Sequence, residues 1–354
     1  MFIRDLTEDA LLARILPLLP RRRDRAHGVE VPTGDDCTVL RISDGKPAIS
    51  TDMLVDGVHF RRDWSTGRDV GWRAAMQNIA DAVAMGARPV SLLVSMQLPG
   101  MLPVAWVEDL ARGMADACAP LGCGVDGGDL VSGETLTISV TVIGDLEGRA
   151  PLLRQSALPG EAVIHVGNIG HAAAGYELLR RGFSPQDSAF PNTETMLIDD
   201  FRRPKPPVEQ ALDAARAGAL GAFMDVSDGL IRDLSRIAAA SQVWIDIDTG
   251  SLEADMHALL PVARHLGRTD PVDWVYRCVL TGGEDHGFVG TLDRPHSRAW
   301  GARTPTLPDG FRRIGTVRDA DPHGRITLDG NAISGLGGWD HFAKTAPLAA
   351  GTQQ

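Results

Sequence analysis

GDDCTVLRISDGKPAISTDMLVDGVHF, residues 34–60, carries two short apolar runs, 37–42 and 47–51, separated by Ser43, Asp44, Gly45 and Lys46. Turn residues between two β-rich runs predict a pair of strands joined as a hairpin. Downstream, residues 68–85 have helical spacing and meet a stop at Gly86 and Pro89. A strand at 90–98 follows, then a helix at 103–119 opened by Pro103, then an alternating strand at 134–143. This β-β-α-β-α-β order predicts an α/β fold of the α+β type, with antiparallel pairing through the hairpin. The Gly- and Pro-bearing stretch 148–160 connects to a second unit, with a strand at 162–166, a helix at 170–181 and a long loop at 184–206. A helix at 207–217, a strand at 222–225, a helix at 229–241 and a strand at 243–247 complete the reading. Two α/β domains are expected, 1–150 and 151–345, with a flexible tail at 346–354.

Composition agrees with a globular chain. Its 354 residues are 44% hydrophobic and 23% charged, too many for one average domain. The 35 basic against 46 acidic residues give a net charge of −11, which repels nucleic acid and anionic membranes. The four cysteines, Cys37, Cys118, Cys123 and Cys278, form no CxxC pair, so a structural zinc site is not expected and reduced, buried thiols are. MFIRDLTEDALLARIL reads as an N-terminal helix rather than a cleavable signal, and no run of about 18 apolar residues suggests a membrane span. A cytoplasmic location is the expectation.

Six acidic, mostly Gly-linked segments recur along the chain: GDDC at 34–37, STD at 50–52, NIAD at 78–81, GGD at 127–129, DVSDG at 225–229 and GGED at 282–285. Carboxylate and hydroxyl oxygens are the ligands of hard cations such as Mg²⁺. Glycines beside them let backbone N–H groups approach an anion. Metal plus anion points to a nucleotide polyphosphate, hence to ATP-dependent phosphoryl transfer. No GxxxxGK[ST] occurs, so a P-loop is excluded.

Each segment has a bland alternative. Asp35 and Asp36 alternate along an extended chain, so one of them faces a shared site, and Asp36 is the choice over a plain turn cap. Ser50, Thr51 and Asp52 could each give an oxygen to Mg²⁺. His59 follows the Gly57 turn and could meet a substrate anion or be an ordinary imidazole. Asp81 sits on an Ala-rich helix, where an acid needs a cation unless it faces water. Gly128 and Asp129 fit a phosphate-approaching turn or a simple hairpin turn. Asp225, Ser227 and Asp228 precede a helix, and an N-cap would explain only one of the two acids. Glu284 and Asp285 lie on a Gly turn entering the strand GFVGT. Trp339, in GGWDHF, could stack on a ring or belong to a core.

In order, GDDC, ISTDMLVDGVHF, NIADAVAMGARP, GGD, the Arg154 segment LLRQSALPGE, MDVSDGLIRDL, TGGED and GGWDHF resemble the thiamine-monophosphate kinases. These belong with aminoimidazole ribonucleotide synthetase, selenophosphate synthetase and the hydrogenase-maturation dehydratase. The resemblance spans residues 30–342 and implies the two-domain fold of that superfamily, with N-terminal sheets pairing across a homodimer. It implies that ATP phosphorylates thiamine monophosphate to thiamine diphosphate with several Mg²⁺ ions. Asp36, Ser50, Thr51, Asp52, Asp81, Asp129, Asp225 and Asp228 match metal positions. Gly128, Asp129, Arg154 and Ser227 match nucleotide positions, and His59, Glu284 and Trp339 match acceptor positions. No general base is implied. The chain departs at Leu130, where Thr is common, and at His286-Gly287, where Tyr-Glu is usual.

Two rivals remain at this point. A sister enzyme would use ATP to activate a carbonyl, amide or selenide, but no reactive Cys lies in the N-terminal Gly-rich region and the chain ends AAGTQQ rather than in Cys. A non-catalytic nucleotide or metal sensor would have lost ligands, whereas every expected acid is present.

Overall fold

The computed structural model describes residues 1–20, 29–31, 37–183, 192–292, 307–321, 323–333 and 337–338. These divide into two compact units, one of Met1–Ala82 with Ala87–Gly148 and the other of Val83–Gly86 with the chain from Arg149 onward.

The first unit opens with α1 (Glu8–Ile15), capped by the Thr7 hydroxyl, which accepts the Ala10 N–H. A two-stranded ribbon of β1 (Val29–Val31) and β2 (Val39–Leu40) follows. Then come β3 (Pro47–Val55), α2 (Gly67–Ala84), β4 (Arg88–Leu98), α3 (Val104–Cys118), β5 (Gly124–Ser132) and β6 (Thr137–Asp145). The last four strands form one sheet in the order β3-β6-β4-β5, with β3 antiparallel to β6 and β4 parallel to β5. Alternation sorts its faces. Leu92, Val94 and Met96 of β4 pair with Val142, Val140 and Ile138 of β6, and all six are buried. Ser50, Asp52 and Leu54 of β3 lie opposite Val142, Val140 and Ile138, on that same face.

Two expectations fail here. The runs at 37–42 and 47–51 do not form a hairpin, because β2 pairs with β1 while β3 pairs along all nine residues with β6. Asp145 at the end of β6 holds the intervening segment, accepting from both the N–H and the hydroxyl of Ser43. The GGD segment is no turn either. It lies within β5, where eight residue pairs to β4 outweigh the poor strand propensity of its glycines.

The second unit contains β7 (Ala162–Val166), α4 (His171–Arg180), α5 (Asn192–Arg202), α6 (Val208–Arg216), β8 (Leu220–Val226) and α7 (Leu230–Ser241). It continues with β9 (Val243–Ile247), α8 (Glu253–His265), α9 (Pro271–Thr281), β10 (Gly287–Leu292), β11 (Arg312–Ala320), β12 (Ile326–Leu328) and β13 (Asn331–Ala332). Its mixed sheet runs β13-β12-β9-β11-β7-β10-β8. The long loop expected at 184–206 is overturned over 192–202, which is α5. Leu197, Ile198 and Phe201 are buried at helical spacing, and that burial overrides a polar, Pro-flanked composition. The remainder of that stretch, 184–191, lies outside the described residues.

None of the four cysteines is in a disulfide, and Cys118, Cys123 and Cys278 are buried. Cys37 is exposed, against expectation, because it lies just before the two-residue β2 rather than inside a sheet.

Candidate active site

In the first unit, the two-residue period of β3 turns Ser50 and Asp52 toward α2. The Ser50 hydroxyl donates to Asp81 Oδ2 at 2.7 Å. Asp52 is held twice: its N–H donates to Asn78 Oδ1 at 3.1 Å, and Gln77 Nε2 donates to its carboxylate at 3.3 Å. Asn78 is anchored by donating to the Ala74 carbonyl. Three predicted residues, Ser50, Asp52 and Asp81, are thus brought to one side of one strand. Gln77 and Asn78, which orient Asp52, were missed by the sequence reading, although their spacing from Asp81 on a helix could have suggested them.

Thr51 points the other way. Its hydroxyl donates to the Val140 carbonyl and accepts from Thr141, which engages it on the face away from Ser50 and Asp52. His59 sits half-buried on the turn after β3, with Nδ1 accepting the Val55 N–H at 3.0 Å. Its proton is therefore on Nε2.

At β5, Gly128 and Asp129 are exposed. A Cβ on Gly128 would strike the Val94 carbonyl on the paired strand, so only glycine lets β5 run this close to β4. Beside this point lies a cavity of about 310 Å³ walled by α1, α3, β4 and residues 125–130, with Leu12, Ile15, Val107, Leu110 and Met114 among its apolar lining. No motif announces it, since its walls come from five separated segments, Cys37 and Thr38 among them.

In the second unit, Asp225 closes β8 and is buried. α7 begins at Leu230 with Gly229 as its N-cap, and no side chain caps it. The bland reading of Asp228 as a helix cap therefore fails. Its carboxylate instead accepts from Arg236 at 2.5 Å and lies 3.8 Å from Arg232. Asp233, one turn on, accepts the Asp228 N–H, and burial together with the nearby Asp225 pushes its carboxyl up to about 7.

The 282–286 segment is laid against this edge. The N–H of Glu284 donates to the Ser227 carbonyl at 2.8 Å and that of His286 to the Val226 carbonyl at 3.0 Å. The two acids of GGED part company. Asp285 turns inward and accepts the N–H groups of Gly170 and Ala172 at the start of α4, at 2.6 and 2.7 Å. Its burial nevertheless raises its carboxyl to about 6. Glu284 stays half-exposed. His286 is buried, with Nδ1 3.4 Å from Asp225 and Nε2 3.6 Å from Glu284. Burial alone would lower this imidazole, but the two carboxylates outweigh it and raise it to about 10.

Arg154 lies in an exposed 3-10 turn, Arg154–Ser156, tied to α7 where the Ser241 hydroxyl donates to its carbonyl. Among the described residues its guanidinium makes no hydrogen bond or ion pair. Asp36 and Trp339 lie outside the described residues. Among the described residues no three His, Cys, Asp or Glu side chains form a metal-holding group. The donors that do gather at β3 and α2 are all oxygens.

Residues 34–146 match the family described as AIR synthase related protein, N-terminal domain, and residues 159–272 match its C-terminal domain. The thiamine-monophosphate kinase of Mycobacterium tuberculosis (strain H37Rv) is 40% identical over 349 residues, covering 97% of this chain and 93% of that relative. The crystal structure of thiamine-monophosphate kinase from Stenotrophomonas maltophilia K279a aligns with a TM-score of 0.72 at 30% identity, over 92% of this chain and 96% of that one. A solved complex of AaThiL with AMPPCP and TMP aligns with a TM-score of 0.70 at 27% identity, over 97% and 99% of the two chains.

Proposed function

The chain belongs to the thiamine-monophosphate kinase family, and on that premise we propose that it moves the γ-phosphoryl group of ATP directly onto the phosphate of thiamine monophosphate. The observation that carries the reading is the match to named kinases along nearly the whole chain, joined by a like-folded structure holding AMPPCP and TMP. A phosphate oxygen of the acceptor attacks the γ-phosphorus in line, a new P–O bond forms, and the bond to the β-phosphate oxygen breaks to release ADP. A phosphate monoester is largely ionised near pH 7, its second pKa being about 6, so no side chain need remove a proton. The remaining task is to bring two anions together and hold them in line.

We assign Mg²⁺ to Asp36, Ser50, the Thr51 main chain, Asp52, Asp81, Asp129, Asp225 and Asp228. Mg²⁺ takes a few carboxylates and completes its shell with water and phosphate oxygens, so the sparse all-oxygen grouping of Ser50, Asp52 and Asp81 suits it. When bound it would neutralise phosphate charge during transfer. Gly128 and Asp129 are assigned to the nucleotide, and the apolar cavity beside them is of a kind that accepts a purine ring. Ser227 and Arg154 are assigned to its phosphates, Arg154 supplying positive charge to the transferred group. Glu284, His59 and Trp339 are assigned to the acceptor.

The protein is read as a homodimer. β3 is an edge strand whose outward residues Ile49 and Met53 are 64% and 53% exposed, an apolar face and an unpaired edge suited to a second copy. Dependence on ATP argues for the cytoplasm, and no described helix is long and apolar enough to cross a membrane. The experiment is conversion of thiamine monophosphate to thiamine diphosphate by purified protein with ATP and Mg²⁺, followed by chromatography. Turnover that is absent, or that persists after thorough chelation, overturns the reading.

A further inference from the structure

His286 is a buried side chain that lies against carboxylates assigned to two different tasks, Asp225 through Nδ1 at 3.4 Å and Glu284 through Nε2 at 3.6 Å. The backbone is bent to make this possible. Glu284 and His286 both occupy the left-handed region, with φ of 73° and 53°, which residues bearing a Cβ adopt rarely and at a cost. Asp285 between them turns the opposite way, to the start of α4. Alternate residues are thereby aimed at the β8 edge while the middle one anchors the loop. Gly283 packs so closely that a Cβ there would lie 2.5 Å from the Ser227 carbonyl, and a Cβ on Gly287 would lie 2.8 Å from that of Val166. The loop has little room to settle elsewhere.

Glu284 is half-exposed and Asp225 is buried, so the imidazole is the link between an acid open to ligand and an acid fixed at the end of β8. We propose that His286 is a positioning residue for the acceptor: by holding Glu284 through Nε2 against the fixed Asp225, it sets where Glu284 meets thiamine monophosphate. This rests on the acceptor role of Glu284 argued above. Removing the imidazole takes away the group that lies between the two carboxylates, and Glu284, the more exposed of the two, loses the contact that ties its position to Asp225.

The two ring nitrogens can be tested separately. His286→Asn places an amide nitrogen near the position of Nδ1 and keeps the Asp225 contact. His286→Gln reaches the position of Nε2 and keeps the Glu284 contact, and His286→Leu keeps neither. Binding of thiamine monophosphate and, separately, of AMPPCP is measured by calorimetry on the full chain, with melting temperature recorded for each variant. The expected result is a tenfold or greater loss of thiamine monophosphate affinity in His286→Leu and His286→Asn, recovery to within about threefold in His286→Gln, and AMPPCP affinity within twofold throughout. Wild-type acceptor affinity in His286→Leu overturns the proposal, as do parallel losses for both ligands in all three variants with a lowered melting temperature. Failure of the wild-type protein to bind thiamine monophosphate is the separate outcome that removes the functional reading, and this proposal with it.

Discussion

Gly128→Ala tests whether the approach of β5 to β4 is what the nucleotide half of the site depends on. An added Cβ would overlap the Val94 carbonyl oxygen and lie 2.7 Å from the carbonyl carbon, on a residue paired directly with Gly128 in the parallel ladder. Carbon atoms sit comfortably at about 3.5 to 4.0 Å, so the strands must part by roughly 1 Å. That shift lengthens the ladder hydrogen bonds on either side beyond useful range. Two lost bonds at about 1 kcal/mol each, with some penalty for groups left unsatisfied, come to about 3 kcal/mol. For a unit of this size such a loss lowers the melting temperature by roughly 6 to 12 °C. Asp129 and Leu130 move with the strand, so AMPPCP affinity should fall at least tenfold. Gly127→Ala is the control, because its Cβ would meet only the end of the Leu93 side chain, at 3.0 Å, and that side chain can turn aside. Calorimetric melting and AMPPCP titration of both variants decide the matter. Equal behaviour of the two substitutions, or wild-type melting of Gly128→Ala, would refute the reasoning.

Elements whose apolar runs are short and bounded by turns were legible. The strands at 162–166 and 243–247 match β7 and β9, and the α3 helix follows from its buried stripe of Val107, Leu110, Ala111 and Met114. Elements that depend on a distant partner were not. β3 reads as half of a local hairpin because sequential strands usually pair, yet its partner β6 lies some ninety residues away. β5 hides behind three glycines, and α5 behind a polar flank.

The candidate site follows the same rule. Ser50, Asp52 and Asp81 could be grouped because strand alternation and a helix stripe are local properties. Thr51 could have been set apart by that same alternation, which was applied to Asp35 and Asp36 but not to the next strand. The parting of Glu284 from Asp285, and the link from His286 to Asp225, require β8 and β10 to be neighbours, which the motif spacing does not encode.

Three further outcomes are expected. Asp228→Asn should keep its melting temperature within a few degrees, since this carboxylate caps no helix, while turnover falls at least tenfold and the Mg²⁺ requirement rises; unchanged turnover would leave Asp228 as a surface partner of Arg236. Light scattering at micromolar concentration should report a dimer, with Met53→Lys shifting it toward monomer; a wild-type monomer contradicts the proposed role of the β3 face. The last concerns the His171–Asp200 pair in the second unit, joined at 2.8 Å and backed by Lys205. Burial opposes the charge on both partners, but their hydrogen bond and mutual attraction outweigh it, raising His171 and lowering Asp200. A raised His171 contributes stability that is complete below about pH 6.5 and fades as pH climbs through its raised value. A lowered Asp200 contributes stability that is complete above about pH 3.9 and fades as pH falls through its lowered value. Between those limits a charged hydrogen bond of this kind is worth roughly 1.5 to 3 kcal/mol. His171→Gln should therefore melt about 3 to 12 °C below wild type at pH 5.5, and the gap should narrow as pH rises through the raised value of the wild-type imidazole. A gap that stays constant as pH rises from 5.5 to 9 would mean that the pair ties the start of α4 to α5 by shape and neutral hydrogen bonding, with no contribution from charge.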